Sequence, residues 1–113
     1  PDIHKTALGA EDTVSWKYFK NTLDAVRELQ AEGYIVYSTE QVAESIKLQD
    51  LRLDSSEKYA IVMGNEVKGV KQEVVDSSDG CIEIPQFGTK HSLNVSVTAG
   101  IVIWEFARQL LIK

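Results

Sequence analysis

The chain has 113 residues, a formal net charge of −5 and a single cysteine, Cys81. That length allows one domain with a modest core, the lone thiol excludes an internal disulfide, and the acidic balance excludes a broadly basic nucleic-acid surface while leaving room for a local basic rim. With 43% hydrophobic and 26% charged residues the composition is that of an ordinary globular domain, and with no apolar run of membrane length and no signal pattern at its start, a cytoplasmic location is the expectation.

Pro1 stands where a methionine would open a complete chain, so upstream sequence is expected. Asp2 can cap a short helix carrying Ile3, Ala7 and Leu8, which Gly9 ends; His4 and Lys5 on it could touch phosphate, although isolated charges are more often plain surface. Trp16, Tyr18 and Phe19 form an aromatic cluster, the commoner role of which is to pin a loop to a core rather than to stack on bases. From Asn21 to Glu32 the pattern is helical: Asn21 or Thr22 caps it, Leu23, Val26 and Leu29 make one stripe, and Gly33 stops it. Tyr34 to Ser38 is β-rich, and a helix, a glycine and a strand in succession imply a parallel sheet. Thr39 ends that strand and can cap the next helix, expected over Glu40 to Ile46. Lys47 to Lys58 reads as a surface connection whose leucines, Leu48, Leu51 and Leu53, dock inward.

The apolar run Tyr59 to Met63 fits a buried parallel strand, ended by Gly64, where the missing side chain would let a ligand come close to the backbone. Asn65 and Glu66 follow on a loop closed by Gly69, and Val70 to Asp76 reads as a short helix, for which Glu66 is a natural N-terminal carboxylate. The turn from Asp76 to Gly80 leads to a third strand, Cys81 to Ile84. Pro85 stops it, Gln86 to His91 loop around Gly88, and Ser92 caps a long helix from Leu93 to Ile112. A strand, a glycine loop and a capped helix start bring backbone N–H groups to a strand's carboxyl end, where open α/β sheets bind ligands. The long helix carries two apolar stripes: Leu93, Val97, Ile101, Trp104, Ala107 and Leu111 form one, and Val95, Ala99, Val102, Phe106 and Leu110 the other. Two stripes imply burial on both sides, the second against a partner subunit, with Phe106 and Leu110 taken as the partner face.

Cys81 has no activating base nearby in sequence and reads as a buried apolar side chain. His91 lacks a second ligand at metal spacing, so no metal is expected, and neither GxGxxG nor GxxxxGK[ST] occurs.

Two stretches resemble a known family. An apolar strand entering Gly64-Asn65-Glu66-x-x-Gly69, and Ile84-Pro85-x-x-Gly88 followed by Ser92-Leu93-Asn94-Val95-Ser96-Val97, are similar to the middle and last signatures of the SpoU (TrmH-like) RNA ribose 2′-O-methyltransferases of the SPOUT superfamily, in the family's order. The resemblance implies an α/β-knot fold: a mostly parallel sheet, helices on both faces, and a C-terminal segment threaded through a loop. It implies S-adenosylmethionine as cofactor, a homodimer, for which the two-striped helix 93–112 is the expected interface, and tRNA or rRNA as substrate. Carried over by motif, Thr39, Gly64, Ile84, Leu93 and Asn94 are the expected cofactor contacts, with Glu66, Ser92 and Asn94 as the polar groups of the site. Gln86 departs from the family's usual methionine. The family's first signature, N-x-G-x-x-x-R, whose arginine activates the hydroxyl, is absent; Arg27, Arg52 and Arg108 all stand in other contexts. Residues 1–113 are therefore expected to form a single domain incomplete at its N-terminus, lacking its first strands, with no assigned catalytic base and no useful activity alone. The alternatives are a non-catalytic dimeric α/β module binding S-adenosylmethionine or another nucleotide-like ligand and, explaining neither motif, a flavodoxin-like regulatory domain.

Overall fold

The computed structural model describes residues 21–64, 69–84 and 95–112. The expectations placed on residues 1–20, on Glu66 and on Ser92, Leu93 and Asn94 lie outside these, and the threading implied by the resemblance rests on residues outside them too. Helix α1 (Thr22–Ala31) starts where the sequence places it: the Asn21 side chain accepts from the Asp24 N–H at 3.1 Å, satisfying one of the free donors of the first turn. It ends at Gly33, whose φ of +94° only a glycine adopts readily. Strand β1 (Tyr34–Thr39) follows at once.

The sheet has four described strands in the order β2-β4-β1-β3, and every neighbouring pair is parallel. Here β2 is Ile46–Lys47, β3 is Lys58–Val62 and β4 is Gly80–Glu83. Side chains alternate across it with the two-residue period of strands. Val36, Tyr34, Ala60 and Val62 face α1 and the short helix α2 (Gln72–Ser77), closing on Val26 and Val74. Tyr37, Tyr59, Ile61, Ile82 and Ile84 face the other way, toward Val102, Phe106 and Leu110 of helix α3 (Val95–Leu110) and toward Leu48 and Leu51. Helices thus cover both faces of a parallel sheet, as the sequence implies, and the leucines of the 47–58 segment do dock inward.

Two expectations are corrected. No helix forms over Glu40 to Ile46. The chain turns instead, with Ser45 N–H and Oγ both donating to Val42 O at 3.1 and 2.9 Å, and Ile46–Lys47 adds β2 to the open side of β4. The short-range signal for helix loses because Glu40 and Ser45 spend their side chains on partners 30 and 38 residues away. The second correction concerns α3. Phe106 belongs to the core: its ring meets those of Tyr37 and Tyr59 edge-on, at centroid distances of 6.3 and 5.8 Å, so it is not a partner face. Val102 and Phe106, one turn apart, point at the sheet, and Val97, Ile101 and Trp104 on the opposite stripe are 50%, 37% and 58% exposed.

Candidate functional site

Parallel strands end together, and here three of them end side by side. Thr39 is in register with Ile82, and Ser38 with Val62, so Thr39, the Val62-Met63-Gly64 segment and Ile84 gather at one carboxyl edge, as parallel pairing requires. Thr39 has no helix to cap. Its hydroxyl donates across the sheet to Val62 O at 3.0 Å and lies 3.8 Å from the Met63 sulfur. Ile84 is half-buried and packs on the Leu48–Phe106 cluster, so its position is fixed by the core beneath it.

Gly64 is a glycine for a reason the sequence does not disclose. A Cβ there would stand 2.7–2.9 Å from the backbone of Gly69 and Val70, so the two ends of the intervening loop cross in direct backbone contact. Gly69 has φ +68°, and a Cβ on it would lie 2.5 Å from Oε2 of Glu40. The Glu40 carboxylate accepts from Val70 N–H at 2.9 Å and from Gln41 N–H at 3.2 Å, while Glu40's own N–H donates to Ile82 O at 3.1 Å. A second carboxylate, Glu83 at the end of β4, accepts from the Ser45 hydroxyl and from Gln41 Nε2. Sequence reasoning missed both acids; the only signal available was their place at a strand's end.

Behind this edge Cys81 is buried, and burial, with the carboxylates of Glu40 and Asp76 adding, pushes its thiol pKa up. A thiol so held stays protonated and is not a nucleophile. Ser38 is fully buried, its hydroxyl 2.6 Å from that of Ser78, which itself donates to Val74 O. Of the three arginines, Arg52 donates to the carbonyls of Gln49 and Leu51, Arg108 is paired with Glu105, and Arg27 lies exposed on α1. Among the described residues no three His, Cys, Asp or Glu side chains are grouped to hold a metal ion, and no helix is long and apolar enough to cross a membrane.

A parallel sheet covered on both faces, with a glycine-bounded loop at its carboxyl edge, is an α/β domain of the kind in which ligands bind at that edge. The chain belongs to the SpoU rRNA Methylase family, whose model matches residues 1–104. It is 39% identical over 90 residues to the tRNA (guanosine(18)-2′-O)-methyltransferase TARBP1 of Mus musculus, covering 80% of this chain and 6% of that protein. The TrmH/SpoU tRNA modifying enzyme of A. aeolicus superposes with a TM-score of 0.73 at 33% identity, over 89% of this chain and 50% of that one. The rRNA methyltransferase of Sinorhizobium meliloti, solved with AdoMet bound, superposes with a TM-score of 0.67 at 32% identity, over 78% of this chain and 33% of that one. This chain spans about half the length of the bacterial relatives it matches.

Proposed function

We propose that this chain is the cofactor-binding unit of an S-adenosylmethionine-dependent methyltransferase acting on a ribose 2′-hydroxyl of tRNA or rRNA in the cytoplasm. The observation that carries the reading is the meeting of Thr39, Gly64 and Ile84 at one carboxyl edge of three adjacent parallel strands. Together with Leu93 and Asn94 these are the residues we assign to the cofactor. The described residues suit it chemically. The cofactor carries polar and apolar parts, and the edge offers the Thr39 hydroxyl and the half-buried, apolar Ile84, with the Glu83 carboxylate at the end of β4.

Bound there, the cofactor supplies an electrophilic methyl group. The protein has to orient the ribose hydroxyl and remove its proton, and a positioned group for that task is worth roughly 10²–10⁴-fold. Glu66, Ser92 and Asn94 are the polar groups we place beside the reacting atoms. Arg27, Arg52 and Arg108 are not assigned to this task, since two are engaged on the α3 side of the sheet and the third lies on α1. That Arg52 and Arg108 are engaged elsewhere also favours the second reading, a dimeric module that holds the cofactor without transferring its methyl group. We further propose a homodimer through the exposed α3 stripe of Val97, Ile101 and Trp104, a contiguous apolar face of the kind that marks association.

Methyl transfer from labelled S-adenosylmethionine to total tRNA and rRNA separates the readings. Any longer chain that carries residues 1–113 transfers label under the first reading and none under the second, and residues 1–113 by themselves are expected to bind the cofactor with little turnover. Comparable turnover by the two would contradict the account of the missing activating group and make Glu66 the residue to mutate.

A further inference from the structure

The Gly69–Val70 peptide is held from two sides. On one side it touches Gly64, so closely that a methyl group on Gly64 would collide with it. On the other lies the Glu40 carboxylate, which accepts the Val70 N–H at 2.9 Å and crowds the α-carbon of Gly69. Glu40 is itself anchored. Its backbone N–H extends the β1–β4 ladder to Ile82 O, and its second carboxylate oxygen takes the N–H of Gln41. It follows Thr39 directly, so a rigid strand end reaches across to the point where the loop leaving Gly64 returns. Of the described contacts at that return, the one to Glu40 is the only charge-assisted hydrogen bond, a type about twice as strong as a neutral one.

We propose that Glu40 is a positioning residue: its carboxylate clamps the Gly69–Val70 peptide against Gly64 and thereby sets how tightly the protein binds S-adenosylmethionine. The inference rests on the reading of this edge as the cofactor site. Glu40 acts through the loop, because its carboxylate oxygens are already committed to backbone amides. Glutamine in its place keeps an oxygen for Val70 N–H, alanine removes the acceptor, and aspartate withdraws it by one methylene.

The test uses full-length protein carrying Glu40→Ala, Glu40→Gln or Glu40→Asp. It combines calorimetric titration with S-adenosylhomocysteine, steady-state kinetics and amide exchange at Val70. Loss of a charge-assisted bond of this kind corresponds to roughly a tenfold or larger weakening. The alanine variant is therefore expected to bind the probe at least tenfold more weakly and to raise KM for S-adenosylmethionine but not for RNA. Its Val70 amide is expected to exchange faster. The glutamine variant, which keeps only a neutral acceptor for Val70 N–H, should lie between wild type and alanine, and so should the aspartate variant, which keeps the test open should the alanine variant fail to fold. Unchanged affinity and unchanged Val70 exchange in the alanine or aspartate variant would overturn the proposal, as would a glutamine variant as impaired as alanine. Wild-type protein that binds no S-adenosylhomocysteine would sink the functional reading instead, and Val70 exchange alone would then decide whether Glu40 holds the loop.

Discussion

Thr39 Oγ1 donates to Val62 O at 3.0 Å, tying the last residue of β1 to the last residue of β3. Main-chain ladders already join the two strands up to Ser38 and Val62, so this side chain extends the pairing by one step at the edge where the loops depart. A threonine whose hydroxyl bridges strand ends is both a structural tie and a fixed oxygen beside the proposed cofactor. Thr39→Val keeps the shape and removes the bond. It is expected to lower stability by about 1 kcal/mol, the net worth of a typical hydrogen bond, and to weaken S-adenosylhomocysteine binding. Thr39→Ser retains the donor and should restore most of both. Urea unfolding and calorimetry on the three proteins check this; a valine variant equal to wild type in both would remove Thr39 from the site.

Gly64→Ala drives a methyl group to within 2.7–2.9 Å of the Gly69–Val70 backbone. Backbone cannot swing aside as a flexible side chain does, so the loop must shift, at a cost typical of overpacking, about 1–3 kcal/mol. Cofactor affinity is expected to fall with it. By contrast, Gly100→Ala on α3 meets no heavy atom within 4 Å and should be neutral or slightly stabilising. Thermal unfolding and probe affinity of the two alanine variants, side by side, give the check.

The two stripes of α3 predict opposite phenotypes. Phe106 is 6% exposed and packed edge-on against the Tyr37–Tyr59 pair, so Phe106→Ala should cost about 3–5 kcal/mol of stability. Trp104, 58% exposed, contributes little to the fold, so Trp104→Glu should leave the unfolding midpoint nearly unchanged and shift the protein from dimer to monomer. Sedimentation equilibrium at micromolar concentration reads the second outcome. Wild-type protein that sediments as a monomer would refute the dimer.

Much of this arrangement is legible in the sequence, and what is not has a physical reason. The α1 helix announces itself through Asn21, its stripe and Gly33. The strands ending at Thr39, Gly64 and Pro85 announce a shared edge once their parallel pairing is inferred. Strand β2 is invisible because it is two residues long and both are exposed, so no periodicity can mark it. The clamp by Glu40 is invisible because its partner lies 30 residues away and is a backbone amide. The choice between the α3 stripes is invisible because both are equally apolar. It is settled by the rings of Tyr37 and Tyr59 and by Gln109, whose side chain accepts from Leu53 N–H at 2.8 Å and donates to Leu51 O at 3.0 Å.

Acid should loosen the same helix. Glu105 accepts two hydrogen bonds from Arg108, at 3.1 and 2.6 Å, and one from Gln109 at 2.6 Å. The Arg108 bond first, and then that of Gln109, hold its carboxyl pKa below the usual glutamate range. A carboxylate with a depressed folded-state pKa contributes stability that is complete above its unfolded pKa and is lost as pH falls through the folded one. The wild-type urea midpoint should therefore fall more steeply than that of Glu105→Gln as pH drops below about 4.3, the ordinary glutamate value. Parallel slopes would show that the ion pair adds nothing beyond its solvent-screened minimum.

The most direct test of the central claim is a titration of isotope-labelled protein with S-adenosylhomocysteine, followed by the backbone amide resonances. The account predicts saturable shifts at the amides of Thr39, Gly64 and Ile84, at the joint carboxyl edge of β1, β3 and β4, with those of α1 unmoved. Shifts confined to other surfaces, or none at millimolar probe with the protein folded, would contradict it.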